Sequence, residues 1–170
     1  FLDIGMNVQW DLEGDTEMSV EDMVNEGVRR AYNNPDNPLR ASILVDPISK
    51  RQNTKDNTPA VVHMSVVPGD KVDVICAAKG GGSENKAKFA MLNPSDSIEE
   101  WVLKTVPQMG AGWCPPGILG IGVGGTPEKA MMLAKRSLME HIDKQKIQTK
   151  TQNGAEHDRV ERLRLNMYDK

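Results

Sequence analysis

From Val106 to Pro127 the chain carries no charged residue, yet glycine and proline recur through the whole run. At about 20 residues such a stretch is long enough to cross a bilayer as a helix. Glycine loses more conformational freedom in a helix than any other residue, and proline removes a backbone donor and clashes with the preceding turn. The run is therefore no membrane-spanning helix, nor a long element of any kind. It has to be laid down as tight turns and short extended pieces, with backbone close to backbone.

The rest of the 170 residues is patterned as short elements of both kinds. Phe1–Trp10, Ala41–Asp46, Ala60–Val67 and Lys71–Ala78 alternate or cluster as strands, the last with Val72, Val74, Cys76 and Ala78 on one side. Ser19, followed by Glu21 and Asp22, opens a helix whose apolar face is Val20, Met23, Val24, Val28 and Ala31. The breaker-rich Asn33–Pro38 ends it. Ser97-Ile98-Glu99-Glu100 is a capping box at the head of a second helix carrying Ile98, Trp101, Val102 and Val106. Gly117–Gly125 reads as an apolar glycine-rich strand and turn. Thr126-Pro127-Glu128 then starts a third helix through Ala130, Leu133, Ala134 and Leu138. Residues 144–154 read as a polar linker, and Glu156–Lys170 as a charged helix with Val160, Leu163 and Met167 inward. Strands and helices alternate only in part. The expected fold is mixed α/β (α+β), with helices packed on a mixed sheet and residues 1–170 forming part of one domain.

Charge and cysteine content narrow the function. Lys and Arg number 21 against 24 Asp and Glu, a net charge of −3, which lacks the basic excess of a nucleic-acid binder. No basic segment followed by an apolar one opens the chain, so no secretory signal is read, and a cytoplasmic setting is the default. Two cysteines, Cys76 and Cys114, are too few for a disulfide framework or a complete four-cysteine metal site. With 10 Met and only 7 aromatic residues (3 Trp, 2 Tyr, 2 Phe), the core is expected to be aliphatic and methionine-rich. The chain opens at Phe1 inside an alternating segment and stops at Lys170 inside a helical one, and it reads as an excerpt of a longer polypeptide.

Four local motifs bear on chemistry. Gly120-Ile121-Gly122-Val123-Gly124-Gly125 spells the G-x-G-x-x-G of a dinucleotide site. The helix after it leads to no second strand with an acidic ribose ligand, so the glycines are read instead as places of close backbone approach. Gly80-Gly81-Gly82, between Lys79 and Lys86, is either a flexible turn or an anion nest. Cys114 stands in Gly112-Trp113-Cys114-Pro115-Pro116-Gly117, and a Cys-Pro pair is familiar at iron–sulfur ligands. Cys76, amid apolar neighbours, reads as buried filler. Arg40, after the breaker loop, is a surface arginine with a guanidinium shaped for a dicarboxylate. His63, His141 and His157 lie apart, without metal-ligand spacing.

Together these segments resemble the class I iron–sulfur fumarate hydratases, a family that includes the alpha subunit of L-tartrate dehydratase. The resemblance covers nearly the whole chain. It is strongest in Ala77–Lys86, in Met109–Pro116 and on to Gly124-Gly125-Thr126, with Leu39-Arg40, Asn53-Thr54 and Asn57 matching too. It implies a [4Fe–4S] cluster held by three cysteines, one of them Cys114, and a small dicarboxylate held by Arg40 and by the backbone of Gly82. Cys76 matches no ligand position. The family's first cysteine and its proposed proton donor, in a Cys-Gln-Asp-Thr-Gly segment, correspond to a place upstream of Phe1. The third cysteine and the catalytic base correspond to a place beyond Lys170. No catalytic acid or base is thus assigned to this chain, which is expected to be inactive by itself.

The implied activity is reversible hydration of fumarate to malate, a step of the tricarboxylic acid cycle, with tartrate dehydration as the nearest rival. The open iron would act as a Lewis acid, without redox change. The implied partners are the missing upstream and downstream segments or a beta subunit, in a homodimer or an alpha/beta assembly, with no nucleic acid and no membrane. From another class, the alternative is a non-catalytic anion-binding or assembly domain. A nicotinamide-dependent oxidoreductase is the third reading.

Overall fold

The computed structural model describes residues 1–11, 17–152 and 159–169, with the backbone alone for 150–152. They divide into two compact units, Phe1–Ala77 and Ala78–Lys170. Helices accompany a mixed parallel and antiparallel sheet, the α+β class expected.

In the first unit, strand β1 (Leu2–Gly5) lies between β4 (Met64–Val67), which is parallel to it, and β5 (Val72–Val74), which is antiparallel. Leu2 stands between Met64 and Val74, and Ile4 between Val66 and Val72. Side chains alternate across a sheet, so these six apolar residues share one face, while Asp3, Ser65 and Asp73 share the other. β4 and β5 follow each other in the chain but straddle β1, so their connection must pass over the end of β1. It does so at Gly5, where a Cβ would stand 2.5 Å from the carbonyl oxygen of Gly69. The Pro68-Gly69-Asp70 turn thus needs no side chain beneath it.

Helix α1 (Val20–Asn33) has the N-cap expected, with the Ser19 hydroxyl accepting from the Asp22 N–H at 3.1 Å. Its breaker-rich end is where the sequence put it. The expected strand Ala41–Asp46 forms only at β2 (Leu44–Val45), and it pairs antiparallel with β3 (Gln52–Asn53), in the polar stretch before Ala60. Asp46, at φ 47°, accepts from the Ser49 and Lys50 N–H groups and from the Ser49 hydroxyl, which closes that hairpin without a glycine. The short polar side chain of an aspartate tolerates the left-handed conformation because it bonds locally.

Beyond the hairpin, Asp56 joins the loop to α1. Its carboxylate accepts from the Thr58 hydroxyl at 2.8 Å and from Arg29 Nε at 3.2 Å, and these contacts, Thr58 first, hold its pKa below the ordinary aspartate range. A group whose pKa is depressed by folding stabilises the fold above its unfolded pKa and stops doing so as pH falls through the folded one. This tie should therefore be constant at neutral pH and loosen only below about pH 4. Thermal unfolding between pH 3 and 7 should show that acid-side loss shrink in Asp56→Asn, whereas an identical profile would remove Asp56 from the network.

The second unit opens with the glycine run, which is one helical turn, α2 (Gly81–Glu84). Helix α3 (Ile98–Gln108) is capped by Ser97, whose hydroxyl accepts from the Glu100 N–H at 3.2 Å, and it buries Val102. Helix α4 (Pro127–Ser137) starts at Thr126-Pro127 as expected. Gly117–Gly125 is not a strand. Gly120 and Gly122 lie directly on α4, where a Cβ would meet the carbonyls of Ala134 and Ala130. The segment's backbone is pressed on a helix rather than paired in a ladder, which explains its alternate glycines.

Residues 144–154, read as a polar linker, are helical over Lys144–Gln152 (α5), and 153–154 lie outside the described residues. The stretch contains neither glycine nor proline before position 154, and its lysines and glutamines are good helix formers. Asp143 accepts from the Lys146 N–H at 3.0 Å as its cap, and Ile147 is buried. Helix α6 (Arg159–Tyr168) packs on α5, and Lys144 reaches Asp169 at 3.0 Å and the ring of Tyr168 at 4.1 Å. Of the residues expected inward on α6, Leu163 and Met167 are half-buried, but Val160 is exposed. Among the described residues, no helix is long and apolar enough to cross a membrane.

Candidate functional site

Two of the three expected site residues come together in the second unit. Gly82 sits in the single turn α2 against Gly112, so closely that a Cβ on Gly82 would collide with the Gly112 carbonyl oxygen. Gly112 lies two residues before Cys114. From the other side the Lys86 side chain crosses Gly112, with Cε 2.8 Å from where a Cβ there would be. The glycine-rich turn and the cysteine turn thus interlock, and the backbone contact leaves no room for a side chain at Gly82.

Cys114 is held from its own side as well. Its N–H bonds to the Ala111 carbonyl at 3.1 Å, its φ is 61°, and its side chain is exposed. A left-handed residue other than Gly, Asn or Asp is uncommon and calls for a local reason. Here the turn leads into Pro115 and Pro116, and Gly117 lies flat on the Trp113 ring, whose carbons would be 2.5 Å from a Cβ. Two prolines and a stacked indole fix the chain on either side of the thiol. The result is a presented sulfur on a rigid turn, which suits one thiolate ligand of a metal centre.

The donor set does not close among the described residues. Among the described residues, no group of three or more His, Cys, Asp or Glu side chains is arranged to hold a metal ion. Cys76, expected as filler in a strand, is exposed one residue past Ile75, outside β5. β5 ends at Val74, so the alternation that would have turned Cys76 into the core does not extend that far.

Charges tie α2 to α4. Glu84 pairs with Lys135 at 3.2 Å and lies 3.9 Å from Lys79, while no carboxylate stands within ion-pair distance of Lys86 among the described residues. Exposed pairs of this kind contribute little to stability, but they hold the short turn in register with the helix beside it. Gly82, in the first turn of α2, has a backbone N–H without an acceptor inside the helix.

Arg40 belongs to the first unit, where it is exposed. The chain just after it is gripped by the end of β3 and the loop that follows it. Asn53 Nδ2 donates to the Ala41 carbonyl at 2.8 Å, the Ser42 N–H donates to Asn57 Oδ1 at 2.9 Å, and the Thr54 N–H donates to the Ile43 carbonyl at 2.9 Å. The same loop is held to α1, where Asn25 Oδ1 accepts the Ala60 N–H at 2.8 Å. Sequence reasoning found Arg40 and matched Asn53 and Asn57, but it did not see that the asparagines serve the backbone beside the arginine.

A sequence model of the family described as fumarate hydratase (Fumerase) matches residues 1–168. A Methanocaldococcus jannaschii protein provisionally named L(+)-tartrate dehydratase subunit alpha is 34% identical over 84% of this chain and 50% of its own length. Fumarate hydratase 2 of Leishmania major is 32% identical over 72% of this chain and 22% of its own. L(+)-tartrate dehydratase subunit alpha of Escherichia coli is 24% identical over 84% of this chain and 46% of its own. The chain spans about half the length of the tartrate dehydratase subunits and about a fifth of the fumarate hydratase. With a family match along nearly its whole length, this chain belongs to the fumarate hydratase (Fumerase) family.

Proposed function

We propose that this chain, with both units in one domain, is part of a larger [4Fe–4S]-dependent hydro-lyase that interconverts fumarate and malate. The observation that carries the reading is the packing of Gly82 on Gly112, beside Cys114. It joins a backbone donor and a presented thiol that the sequence offers 32 positions apart. Cys114 would hold the cluster as one of three cysteine ligands, the other two lying outside this chain. The cluster, when bound, would supply a Lewis acid for the substrate's oxygens. The chain's own part is to bind and orient. Arg40 would grip one carboxylate through its planar fork, and the Gly82 N–H would donate to another carboxylate oxygen, where charge builds up as water adds to the double bond.

Tartrate dehydration is the second reading. It is favoured by alignments that run over 84% of the chain with tartrate dehydratase alpha subunits, and it would bring a beta subunit as partner. A homodimer is the counterpart under the fumarate reading. Both readings set the protein in a reducing, cytoplasmic compartment.

The test is anaerobic cluster reconstitution of the holoenzyme that contains this chain, assayed with fumarate and L-tartrate side by side. Iron-dependent turnover of fumarate supports the first reading, and turnover of L-tartrate alone replaces it with the second. A protein that assembles no cluster overturns both and leaves an anion-binding or assembly module. Within that assay, Arg40→Lys should lower kcat/KM by about 1–3 kcal/mol in transition-state free energy, because a point charge replaces a two-pronged donor. An unchanged kcat/KM would take Arg40 out of the site.

A further inference from the structure

We infer that Asn53 and Asn57 are positioning residues for Arg40. The inference rests on the reading of Arg40 as a carboxylate clamp. Arg40 has no ion-pair partner among the described residues, so what the structure fixes is the backbone from which its side chain springs. That backbone stands outside any strand, since β2 begins only at Leu44. What holds it is a pair of side chains. Asn53 grips the Ala41 carbonyl and Asn57 the Ser42 N–H, the first acceptor and the next donor after Arg40. The side chain of Asn53, at the end of β3, and that of Asn57 beyond it thus carry the hydrogen bonding past the two-residue ladder to the residues immediately after the clamp.

The loop that presents them is built for this. Lys55 and Asn57 both take positive φ, 69° and 59°, and the Lys55 N–H closes on Asn53 Oδ1 at 2.7 Å. Arg29 and Asn25 of α1 then hold Asp56 and Ala60, so the loop cannot drift away from the segment it grips. Asparagine suits position 57 twice over, because it tolerates the left-handed conformation and supplies an acceptor. A freed segment would let the guanidinium swing, and misplacing a binding group by about 1 Å costs on the order of a hundredfold in rate.

The two bonds run in opposite senses, and that gives the test. Asn57 accepts, so Asn57→Asp keeps the acceptor, whereas Asn57→Gly keeps only the left-handed backbone. Asn53 donates, so Asn53→Asp loses the bond to Ala41 while keeping the acceptor for Lys55. In the cluster-loaded holoenzyme, with the dicarboxylate it turns over, Asn57→Gly and Asn53→Asp should each raise KM by about tenfold to a hundredfold, with kcat moving less than KM. Asn57→Asp should restore KM relative to Asn57→Gly. Combined with Arg40→Lys, either damaging variant should add far less than its separate effect, because both act through one side chain. Circular dichroism and Tm of each variant establish that it is folded.

An unchanged KM in the asparagine variants, with Arg40→Lys still impaired, overturns the inference and leaves the clamp standing. So do effects that add fully to that of Arg40→Lys, or equal damage from the two aspartate substitutions. An unimpaired Arg40→Lys overturns the clamp itself, and the positioning role with it. If Asn57→Gly does not fold, the contrast between Asn53→Asp and Asn57→Asp decides the matter.

Discussion

Replacing Cys114 by serine should abolish dicarboxylate turnover and deplete iron in the reconstituted holoenzyme, while leaving the fold of this chain in place. Serine has nearly the same shape and meets the same demand at φ 61°. The thiol is exposed, so no packed core loses a partner. On the proposed reading the substitution changes the ligand atom, since a neutral hydroxyl is a poor substitute for a thiolate toward iron. Loss of an outer supporting group costs a metal site roughly 10–100-fold, and loss of a ligand should cost more. Cys76→Ser is the control. It stands at the surface beyond β5 and should leave both iron content and activity near those of the unaltered protein. Iron and sulfide analysis together with the visible absorption band would decide it. Equal damage from Cys76→Ser would reassign the ligand, and a Cys114→Ser protein with full iron would remove Cys114 from the centre.

Gly82→Ala should be nearly as severe, for a reason of space. The added methyl would be driven into the Gly112 carbonyl oxygen, a backbone atom that cannot rotate away. Forcing one methyl into a closed contact costs about 1–3 kcal/mol by itself. Here the accommodation would also push apart the glycine-rich turn and the cysteine turn, so kcat/KM should fall on the order of a hundredfold. Gly112→Ala is the informative partner. Its methyl would meet the outer atoms of the Lys86 side chain, which can swing aside, so the loss should be smaller. Tm, cluster content and kcat/KM, measured for both, separate a site effect from a folding effect. A Gly82→Ala enzyme as active as the unaltered one would show that the turn contact has no part in the site.

The elements that the sequence made legible are those governed by short-range rules. Helices α1, α3 and α4 were marked by Ser19, Ser97 and the Thr126-Pro127 pair together with a 3.6-residue apolar period, and all three begin where those signals stand. The errors fall where a distant segment decides. Ile118, Ile121 and Val123 among glycines look like a strand, but the glycines are there to let α4 approach. Lys144–Gln152 looks too polar to be structured, yet an aspartate cap, one buried isoleucine and the packing of α6 hold it as a helix. Pro68-Gly69-Asp70 announces a turn, but nothing local tells that β1 lies between the two strands it joins. At the site, Arg40, Gly82 and Cys114 stand out through the family resemblance of long unusual strings rather than through local physics. The contact of Gly82 with Gly112, and the grip of Asn53 and Asn57 on residues 41 and 42, join positions too far apart for any pattern to display.

The one-sided sheet of the first unit sets how this chain behaves as a colloid. Leu2, Ile4, Met64, Val66, Val72 and Val74 line a single face, and Val66 and Val74 at its two margins are 75% and 64% exposed. Water next to such a patch responds to the lyotropic series more than to ionic strength alone. Sulfate and phosphate, excluded from the surface, drive faces of this kind together, whereas chloride at the same concentration mostly screens the small net charge of −3. Such a face should make the chain respond to the kind of anion around it as well as to the amount of salt present.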